Sequence, residues 1–470
     1  MSVTPVVDDP TRDYGDKVVA VEPGGVEFIP LDERHGRPIG LLWTWTSPNM
    51  EFATIGVGIL GPLFFGLSFW QSFLAIVIGT ALGSVTQGLL STWGPKHGLA
   101  QMVISRSGFG FLGNMLPAGI NAVVAGIGWF AVNSVSGALA LHALFNSLPK
   151  PLCLVIVVAA QMLIAFFGHN LVHAFERYAF PVLAVVFVIA SIVVFTKAHP
   201  NAPGGGGGIG GFLVMVGATF GYAAGWNPYA SDYTRYLDPK TPSRPVGVYA
   251  ALGVFLSCVL LETVGAAVVT AGGKELAPAS FTDLLPTWLG KLALLCICLG
   301  AIAANAINIY SGSLSFMTLG IRLPTHIARA VVAAVFGVIG FFVALGGLKN
   351  AGSTYENFLL IISYWIGPWL GVVLVDRYLR RGQDIQGLLG DRRYTNWAGP
   401  IAMAVAGGLS IWLFSKQTKY QGIVPKNHPK FGDLTFEVGF VLAAVLYLVL
   451  FFATKPKAVP AAPVPATAAA

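Results

Sequence analysis

The stretch that decides the fold is an apolar run with a polar break inside it, LLWTWTSPNMEFATIGVGILGPLFFG (41–66). The run is longer than the roughly 20 apolar residues that a helix needs to cross the hydrocarbon core of a bilayer. Ser47-Pro48-Asn49-Met50-Glu51 interrupts it, and proline removes a backbone donor and breaks a regular helix. Such a break is tolerated at membrane depth only where the freed backbone groups are buried in protein or line a cavity. The sequence therefore predicts a membrane helix in two halves.

A second apolar run carries a similar break, GFLVMVGATFGYAAGWNPYA (211–230), in which Gly225-Trp226-Asn227-Pro228 interrupts the helix. Broken helices in corresponding positions of two halves are the sequence sign of a transporter built from an inverted repeat. The two breaks fall in the first and the sixth apolar runs, which are the first spans of two five-span units. We therefore predict a 5+5 inverted repeat, and the alternative is two proline kinks without a repeat.

The composition agrees with a chain that crosses the membrane many times. Of the 470 residues 55% are hydrophobic and 10% are charged, and the mean hydropathy is +0.71. A soluble domain carries roughly 25% charged residues, so a soluble enzyme, a nucleic-acid-binding protein and a disordered scaffold are excluded. We predict an all-α membrane protein with twelve transmembrane helices, at about 41–66, 69–90, 112–144, 152–168, 176–197, 211–230, 246–272, 287–318, 325–346, 356–377, 396–415 and 434–453.

These spans form one transporter domain between two tails. We predict a disordered cytoplasmic tail, the transporter domain and a disordered Ala/Pro tail at residues 1–36, 37–455 and 456–470. Within the domain we place the first repeat, the second repeat and the last two spans at 41–197, 211–377 and 396–453. The N-terminal residues include acids and no apolar core, so no signal peptide is expected.

The basic residues predict the orientation of the spans. With both termini in the cytoplasm, 19 of the 28 Lys and Arg lie in inside segments and 9 in outside loops, and every Arg lies inside. An excess of Lys and Arg in short loops marks the cytoplasmic side, so the net charge of +7 points first to topology. We predict a multi-pass protein of the cell (plasma or inner) membrane. Its expected partners are lipids and a small molecule, with no nucleic acid and no obligate protein partner.

Motifs for enzymes and metal sites do not fit their context. The segment GFGFLG (108–113) matches a dinucleotide-binding pattern, but no strand precedes it and it lies in a predicted membrane loop. Cys153, Cys258, Cys296 and Cys298 all lie inside apolar runs, without the paired spacing of a zinc site. No nucleophile stands out with a base beside it. We therefore predict no catalytic residue, no metal and no cofactor.

Polar and aromatic residues cluster in four of the predicted spans. They are Ser47 and Asn49 in the first, Trp129 and Asn133 in the third, Trp226 in the sixth, and Asn305 and Asn308 in the eighth. Two indoles and several carboxamides suit a flat heterocycle, because rings stack on its faces and amides hydrogen-bond to its edge. Stacking a base on an aromatic ring is worth roughly 1–3 kcal/mol. The alternative for each residue is structural, since membrane Trp often anchors at the interface and membrane Asn often joins helices.

Acidic residues inside the spans are the second signal. Glu51 follows the first break, and an intramembrane carboxyl is a candidate for a proton relay. For Glu262, in span seven, we favour a structural hydrogen bond to Thr263 or to a neighbouring span. Asp232 and Arg235 lie at the inner end of span six, and we interpret them either as a cytoplasmic gate or as a simple ion pair.

The chain resembles the purine–cytosine permease branch of the nucleobase:cation symporter family. The resemblance covers about 35–455 and rests on SPNMEFATIGVGILGP (47–62), GPKHGLAQMVISRSGFGFLGN (94–114), GWFAVNSVSG (128–137), GWNPYASDYTRY (225–236) and AINIYSGSLSF (306–316). It implies twelve spans, with the first ten folded as a 5+5 repeat like the leucine transporter. It also implies a substrate held between Trp129 and Trp226 and bonded by Asn133 and Asn308. First-span contacts map less directly, to Ser47 and Asn49.

One departure from the family concerns the coupling ion. Sodium-coupled members carry hydroxyl residues on span eight, where this chain has Ala301-Ile302-Ala303-Ala304. The resemblance therefore favours a co-transported proton over sodium. The candidate acid, Glu51, comes from its place beside the first break and not from the resemblance. We predict a proton-coupled importer of cytosine or a purine that works by alternating access. The alternatives are a symporter of a related heterocycle (allantoin, hydantoin, uracil or a vitamin precursor), with sodium as a second option for its coupling ion, and, from other classes, a membrane enzyme or a passive channel.

Overall fold

The computed structural model describes residues 25–167, 169–321, 325–348, 351–454 and 456, and these residues fold into helices joined by short loops. In chain order the α-helices α1 to α21 are Gly40–Thr46, Phe52–Phe64, Phe69–Ser91, Trp93–His97, Gln101–Ile104, Arg106–Phe109, Met115–Val123, Phe130–Leu144, Lys150–Phe167, His169–Lys197, Gly208–Ala224, Ala230–Thr234, Ser243–Thr270, Pro278–Thr282, Thr287–Met317, Thr325–Gly347, Ala351–Leu379, Gln386–Gly390, Ala398–Phe414, Ile423–Asn427 and Thr435–Thr454. Short 3₁₀ helices cover Leu31–Glu33, Ser47–Asn49, Asn227–Tyr229 and Pro429–Phe431, and Val124–Trp129 is π-helical.

Apolar helices coincide with all the predicted spans. In the described ranges, eight helical stretches are long and apolar enough to cross a membrane, and they are Phe69–His97, Met115–Leu144, Asn170–Lys197, Gly208–Thr234, Ser243–Thr270, Thr287–Met317, Tyr355–Leu379 and Thr435–Thr454. Four shorter apolar helices are Phe52–Phe64, Lys150–Ile164, Val331–Gly347 and Ala398–Phe414. The all-helical membrane fold is confirmed, while the number of twelve crossings and the 5+5 repeat stay predictions.

Both predicted helix breaks are present. In the first, α1 gives way to the 3₁₀ turn Ser47–Asn49, and Glu51 is extended (φ −147°, ψ 175°) before α2 begins. In the second, α11 ends at Ala224, and Asn227–Tyr229 forms a 3₁₀ turn before α12. Proline stands within each 3₁₀ turn, where its missing N–H costs least. The breaks therefore give two backbone junctions inside the bundle.

Loops that the sequence assigns to one side of the membrane meet each other at one end of the bundle. At the end assigned to the outside, called the outer end below, Lys197 Nζ donates to the carbonyl of Leu284 (2.6 Å), and the N–H of Gly207 donates to the carbonyl of Gly66 (2.9 Å). At the opposite, inner end, the Gln386 side chain donates to the carbonyl of His97 (3.2 Å). These contacts agree with the predicted alternation of the spans.

The prediction of a disordered tail over 1–36 is wrong for residues 25–36. The N–H of Ile29 donates to the carbonyl of Gly98 (3.0 Å), and the N–H of His35 donates to the carbonyl of Tyr236 (2.6 Å). Arg34 Nη1 also donates to the carbonyl of Pro95 (2.7 Å). Backbone hydrogen bonds to distant loops, which composition does not reveal, hold this segment across the inner end. The rest of that tail and residues 457–470 lie outside the described residues.

Two glycines bring α2 and α13 into backbone contact. A Cβ added to Gly265 would lie against the carbonyl oxygen of Ile55 and 2.9 Å from the Cα of Gly58. A Cβ added to Gly58 would collide with the carbonyl of Glu262. Small residues permit such close approach of membrane helices, which associate largely by packing. The outer half of the first span is therefore fixed to α13.

We expect Gly265→Ala to destabilise the protein by roughly 1–3 kcal/mol, because the added methyl group meets backbone atoms that cannot move aside. The matched control is Gly408→Ala, since an added Cβ at that exposed helical position has no neighbour within 4 Å. The measurement is the Tm of each purified variant in detergent. A Tm for Gly265→Ala equal to that of the control would contradict the close contact.

Candidate functional site

The two breaks and the third span meet at a small cavity. Its volume is about 10 Å³, and it is lined by Glu51, Trp129, Asn133, Tyr222, Gly225 and Trp226. A cavity of this size holds about one water molecule. The structure thus brings together four site candidates from the sequence and Gly225 of the second break, and it adds Tyr222, which the sequence did not single out. We call this set of six residues the central site.

Trp226 is held in place by the first break. Its indole Nε1 donates to Asn49 Oδ1 (2.9 Å), and Asn49 Nδ2 donates to the carbonyl of Trp45 (2.7 Å). The Trp226 ring also packs edge-on against Tyr229, with centroids 5.9 Å apart. Since both ends of the Asn49 carboxamide bond to protein atoms, Asn49 positions the indole in this structure. Its predicted contact with a substrate stays a prediction.

Trp129 is the second indole that lines the central site. It is the last residue of the π-helical segment Val124–Trp129, and such segments are frequent at functional sites. Its ring packs edge-on against Tyr222 and Phe358, with centroid distances of 5.4 and 5.1 Å. An added Cβ on Gly225 would lie 3.3 Å from this ring, so a glycine at the second break lets the indole approach the backbone.

The carboxamides of the third and eighth spans meet at Asn305. Asn133 Nδ2 and Asn308 Nδ2 both donate to Asn305 Oδ1, at 3.1 and 3.3 Å. Asn133 lines the central site, while Asn308 lies one helical turn beyond Asn305 and does not reach the cavity wall. The i, i+3 spacing of the two asparagines in α15 indicated the shared face. It did not indicate that Asn305 joins the other two residues.

The intramembrane acids differ in their surroundings. Glu51 is 1% exposed, lines the central site, and its Oε2 atom makes no hydrogen bond within the described residues. Glu262 is fully buried and accepts a hydrogen bond from Thr80 Oγ1 (2.9 Å) in α3. The predicted bond to a neighbouring span is therefore present, whereas Thr263 donates to the carbonyl of Val259 instead.

Ser47 lies against an acid that sequence reasoning missed. It is fully buried beside the carboxyl of Glu176, which is also fully buried. The predicted fifth span begins at residue 176, but α10 begins at His169, so Glu176 lies two turns inside the helix. The signal in the sequence is a single acid within HNLVHAFERYAF (169–180).

The two gate candidates bond to different partners at the inner end. Asp232 Oδ1 accepts a hydrogen bond from the backbone N–H of Gln101 (2.8 Å). Arg235 donates to the carbonyl of Gly25 (2.7 Å) and to the Tyr310 hydroxyl (3.0 Å). Both residues are buried, at 1% and 0% exposure. They tie span six to the first inner loop, the eighth span and the N-terminal segment.

A larger cavity lies on the outer side of the central site. Its volume is about 450 Å³, and its wall includes Ala53, Val135, Tyr355 and Phe358. Phe358 also touches Trp129, so these two rings separate this outer vestibule from the central site. The inner side is filled by packed rings such as Trp45 and Tyr233, which are 5.5 Å apart. The outer vestibule and the central site therefore lie on either side of the Trp129 and Phe358 rings.

The central site contains three aromatic side chains, one amide and one carboxyl. Throughout the described ranges, no three His, Cys, Asp or Glu side chains are grouped so as to hold a metal ion. Such a set can stack on a flat molecule and exchange hydrogen bonds with its edge. It offers a proton-binding group but no nucleophile with a base beside it.

The chain as a whole is similar to known permeases. A family profile described as permease for cytosine/purines, uracil, thiamine and allantoin matches residues 28–389. The purine-cytosine permease fcyB of Emericella nidulans is 29% identical, covering 94% of this chain and 92% of its own. The purine-cytosine permease FCY2 of Saccharomyces cerevisiae is 28% identical, covering 91% and 85%.

Solved structures show the same fold. Mhp1, a nucleobase-cation-symport-1 family transporter solved in a closed conformation with bromovinylhydantoin bound, superimposes with a TM-score of 0.74 at 20% identity. The superposition covers 93% of this chain and 96% of that one. At this level of identity the likeness supports the fold alone.

Proposed function

Because the chain belongs to the family of permeases for cytosine/purines, uracil, thiamine and allantoin, we propose that it imports a nucleobase, cytosine or a purine, by alternating access. Members of this family are permeases, so the protein is a transporter and not an enzyme. The observation that carries the substrate class is the pair of indoles, Trp129 and Trp226, on one cavity with the amide of Asn133. Rings of this kind stack on a planar base, and the amide bonds to its edge. Asn308, Ser47 and Asn49 complete the proposed substrate contacts.

Transport begins at the outer vestibule. A base passes Phe358, stacks between the two indoles and replaces the water-sized volume of the central site. The half-helix junctions at 47–51 and 225–228 supply backbone groups and the hinges that let the inner end open. Release requires the contacts of Asp232 and Arg235 at the inner end to separate, and this is their proposed role as a gate.

We propose that a proton drives this cycle and that Glu51 carries it. The carboxyl is buried beside the substrate volume, where an isolated charge is costly. Protonation removes that charge, so proton uptake and substrate binding favour each other. The region that holds hydroxyl residues in sodium-coupled members is Ala301-Ile302-Ala303-Ala304 in this chain, which supports the proton over sodium.

The proposed setting is the cell (plasma or inner) membrane with both termini in the cytoplasm, as the distribution of Lys and Arg supports. Membrane lipids are the only surroundings that the proposed cycle requires. No cofactor and no obligate protein partner enter the proposed cycle.

The second candidate is a related heterocycle, since the family description includes uracil, thiamine and allantoin. The two indoles can stack on any of these heterocycles, so the hydrogen bonds to the edge of the ring select among them. Hydantoin and vitamin precursors belong to the same alternative, as does sodium coupling.

Uptake of radiolabelled cytosine into proteoliposomes tests the proposal. We expect accumulation under an inward proton gradient and none under a sodium gradient alone, and we expect unlabelled adenine and hypoxanthine to compete. Accumulation driven only by sodium would overturn the proton coupling. Competition by allantoin, hydantoin or uracil without any cytosine uptake would move the substrate to the second candidate. Equal cytosine concentrations on both sides under either gradient would indicate a passive channel.

A further inference from the structure

Two arginines approach one aromatic ring at the inner end of the bundle. Arg106 Cζ lies 4.5 Å from the centre of the Phe111 ring, and Arg392 Cζ lies 5.5 Å from the same centre. Phe111 directly precedes the predicted third span, and Arg392 lies in the loop between α18 and α19, before the predicted eleventh span. Positive charge is therefore concentrated at one place where two spans begin.

No acid offsets this charge in the ranges that the structure describes, since neither Arg106 nor Arg392 forms a salt bridge there. Arg106 is 7% exposed, and its Nη1 and Nη2 atoms donate to the carbonyls of Leu389 (2.9 Å) and Thr318 (2.8 Å). These carbonyls hold the guanidinium in place without neutralising it. Burial, together with the charge of Arg392, lowers the pKa of Arg106 to about 10, so the group stays charged at neutral pH.

Two stripes of exposed apolar residues begin beside these arginines. One lies at the start of the third span, and the other follows α19 in the eleventh span. Residues three or four apart share a helical face, so each stripe forms one lipid-facing strip. The members are Leu112, Met115, Leu116, Trp397, Ile401 and Val405, and we call them the span 3–11 surface. A tryptophan at the start of a span is typical of the membrane–water interface.

The two spans that carry this surface lie side by side at the inner end. The N–H of Phe111 donates to the carbonyl of Tyr394 (2.9 Å). A Cβ added to Gly113 would lie 2.7 Å from Pro400 Cγ, so the two chains are also in close contact one turn further on. The span 3–11 surface is therefore continuous across both spans, and the two arginines stand at its inner end.

We propose that Arg106 and Arg392 bind the phosphate of an anionic phospholipid from the inner leaflet, with its acyl chains along the span 3–11 surface. Guanidinium groups form charge-assisted and bidentate hydrogen bonds with phosphate. Basic sites between membrane helices on the cytoplasmic side bind anionic head groups. Arg392 is exposed and supplies the direct contact, while Arg106 adds a fixed charge from the buried side. A free phosphate ion would meet the same charge but would leave the apolar surface unused.

Lipid binding to the purified full-length protein in an uncharged detergent tests this site. The probes are phosphatidylglycerol, which is anionic, phosphatidylcholine with the same acyl chains, which has no net charge, and inorganic phosphate. Native mass spectrometry gives the Kd of the first bound lipid. We expect phosphatidylglycerol to bind at least about tenfold more tightly than phosphatidylcholine, because two arginines face its head group. Inorganic phosphate at the same concentrations should not displace it.

Arg392→Gln is expected to weaken phosphatidylglycerol binding about fivefold and to leave phosphatidylcholine binding unchanged. The matched control is Arg393→Gln, because Arg393 is the next residue in the same exposed loop and its Nε atom pairs with Asp391 Oδ1 (3.3 Å) instead. Arg392 makes no hydrogen bond to the rest of the described chain, so its replacement leaves the fold intact. The Tm of each variant without added lipid checks this.

The outcomes do not depend on the transported molecule, because transport is not measured. Tighter binding of phosphatidylglycerol that Arg392→Gln weakens and Arg393→Gln does not supports the inference. Equal affinities for the two lipids, or an unchanged affinity in Arg392→Gln, would overturn it. So would an equal loss in both variants, which indicates general surface charge. Displacement of the lipid by inorganic phosphate would assign the arginines to a soluble anion and also overturn it.

Discussion

Trp226→Ala is expected to reduce uptake to background, with a loss in kcat/KM of about 100-fold or more. The indole is 7% exposed and lines the central site, and stacking a base on such a ring is worth roughly 1–3 kcal/mol. Its N–H also bonds to Asn49, so truncation leaves a buried amide oxygen without a partner, at a further cost of about 1–3 kcal/mol. Together these terms account for a loss of this size. The measurement is initial uptake, normalised to the amount of protein in the membrane.

Two variants show whether the effect belongs to the site. Trp412→Ala removes a tryptophan that is 52% exposed on α19, and it should leave uptake unchanged. Trp226→Phe keeps a ring for stacking but loses the bond to Asn49, so we expect partial activity. Near-normal uptake by Trp226→Ala would rule out a stacking role for this indole.

Glu51→Gln is expected to disconnect uptake from the proton gradient. The amide has nearly the same shape as the carboxyl but cannot carry a proton, so substrate should equilibrate without accumulating. A gradient of one pH unit is equivalent to about 1.4 kcal/mol and allows a one-proton symporter about tenfold accumulation. The variant should stay close to an accumulation ratio of about one under the same gradient. The measurement is the steady-state ratio of labelled base inside and outside proteoliposomes.

Glu262→Gln is the matched control for this prediction. Glu262 is equally buried, but it bonds to Thr80 and does not line the central site. We expect it to keep proton-driven accumulation. A wild-type response of Glu51→Gln to the gradient would make Glu51 structural, and Glu176 beside Ser47 would become the next acid to test.

The spans and breaks could be predicted because their causes are local. The length of an apolar run can be counted in the sequence and compared with the thickness of a bilayer. A proline lacks its N–H in any environment, so Pro48 and Pro228 indicate breaks without any knowledge of the neighbouring helices. The grouping of Trp129, Asn133 and Trp226 also followed from their spacing together with the family resemblance.

Contacts between distant segments could not be predicted in this way. The N-terminal residues 25–36 have a polar composition typical of a tail, yet backbone bonds from Ile29 and His35 hold them to loops far along the chain. The sequence also does not show that the carboxamide of Asn49 bonds to Trp45 and Trp226. The direction of each amide depends on all its partners in three dimensions, and a sequence gives none of them.

The outer vestibule has a consequence for inhibitor chemistry. At about 450 Å³ it lies within the range of pockets that hold drug-sized ligands, and Ala53, Val135 and Phe358 give its wall an apolar character. A nucleobase carrying a bulky apolar substituent would place its ring between the indoles and its substituent in this space. Phe358 could then not close behind the ring, so the compound would block the carrier without being carried. Toxic base analogues small enough to pass Phe358 would instead enter the cell by the same route as the nutrient.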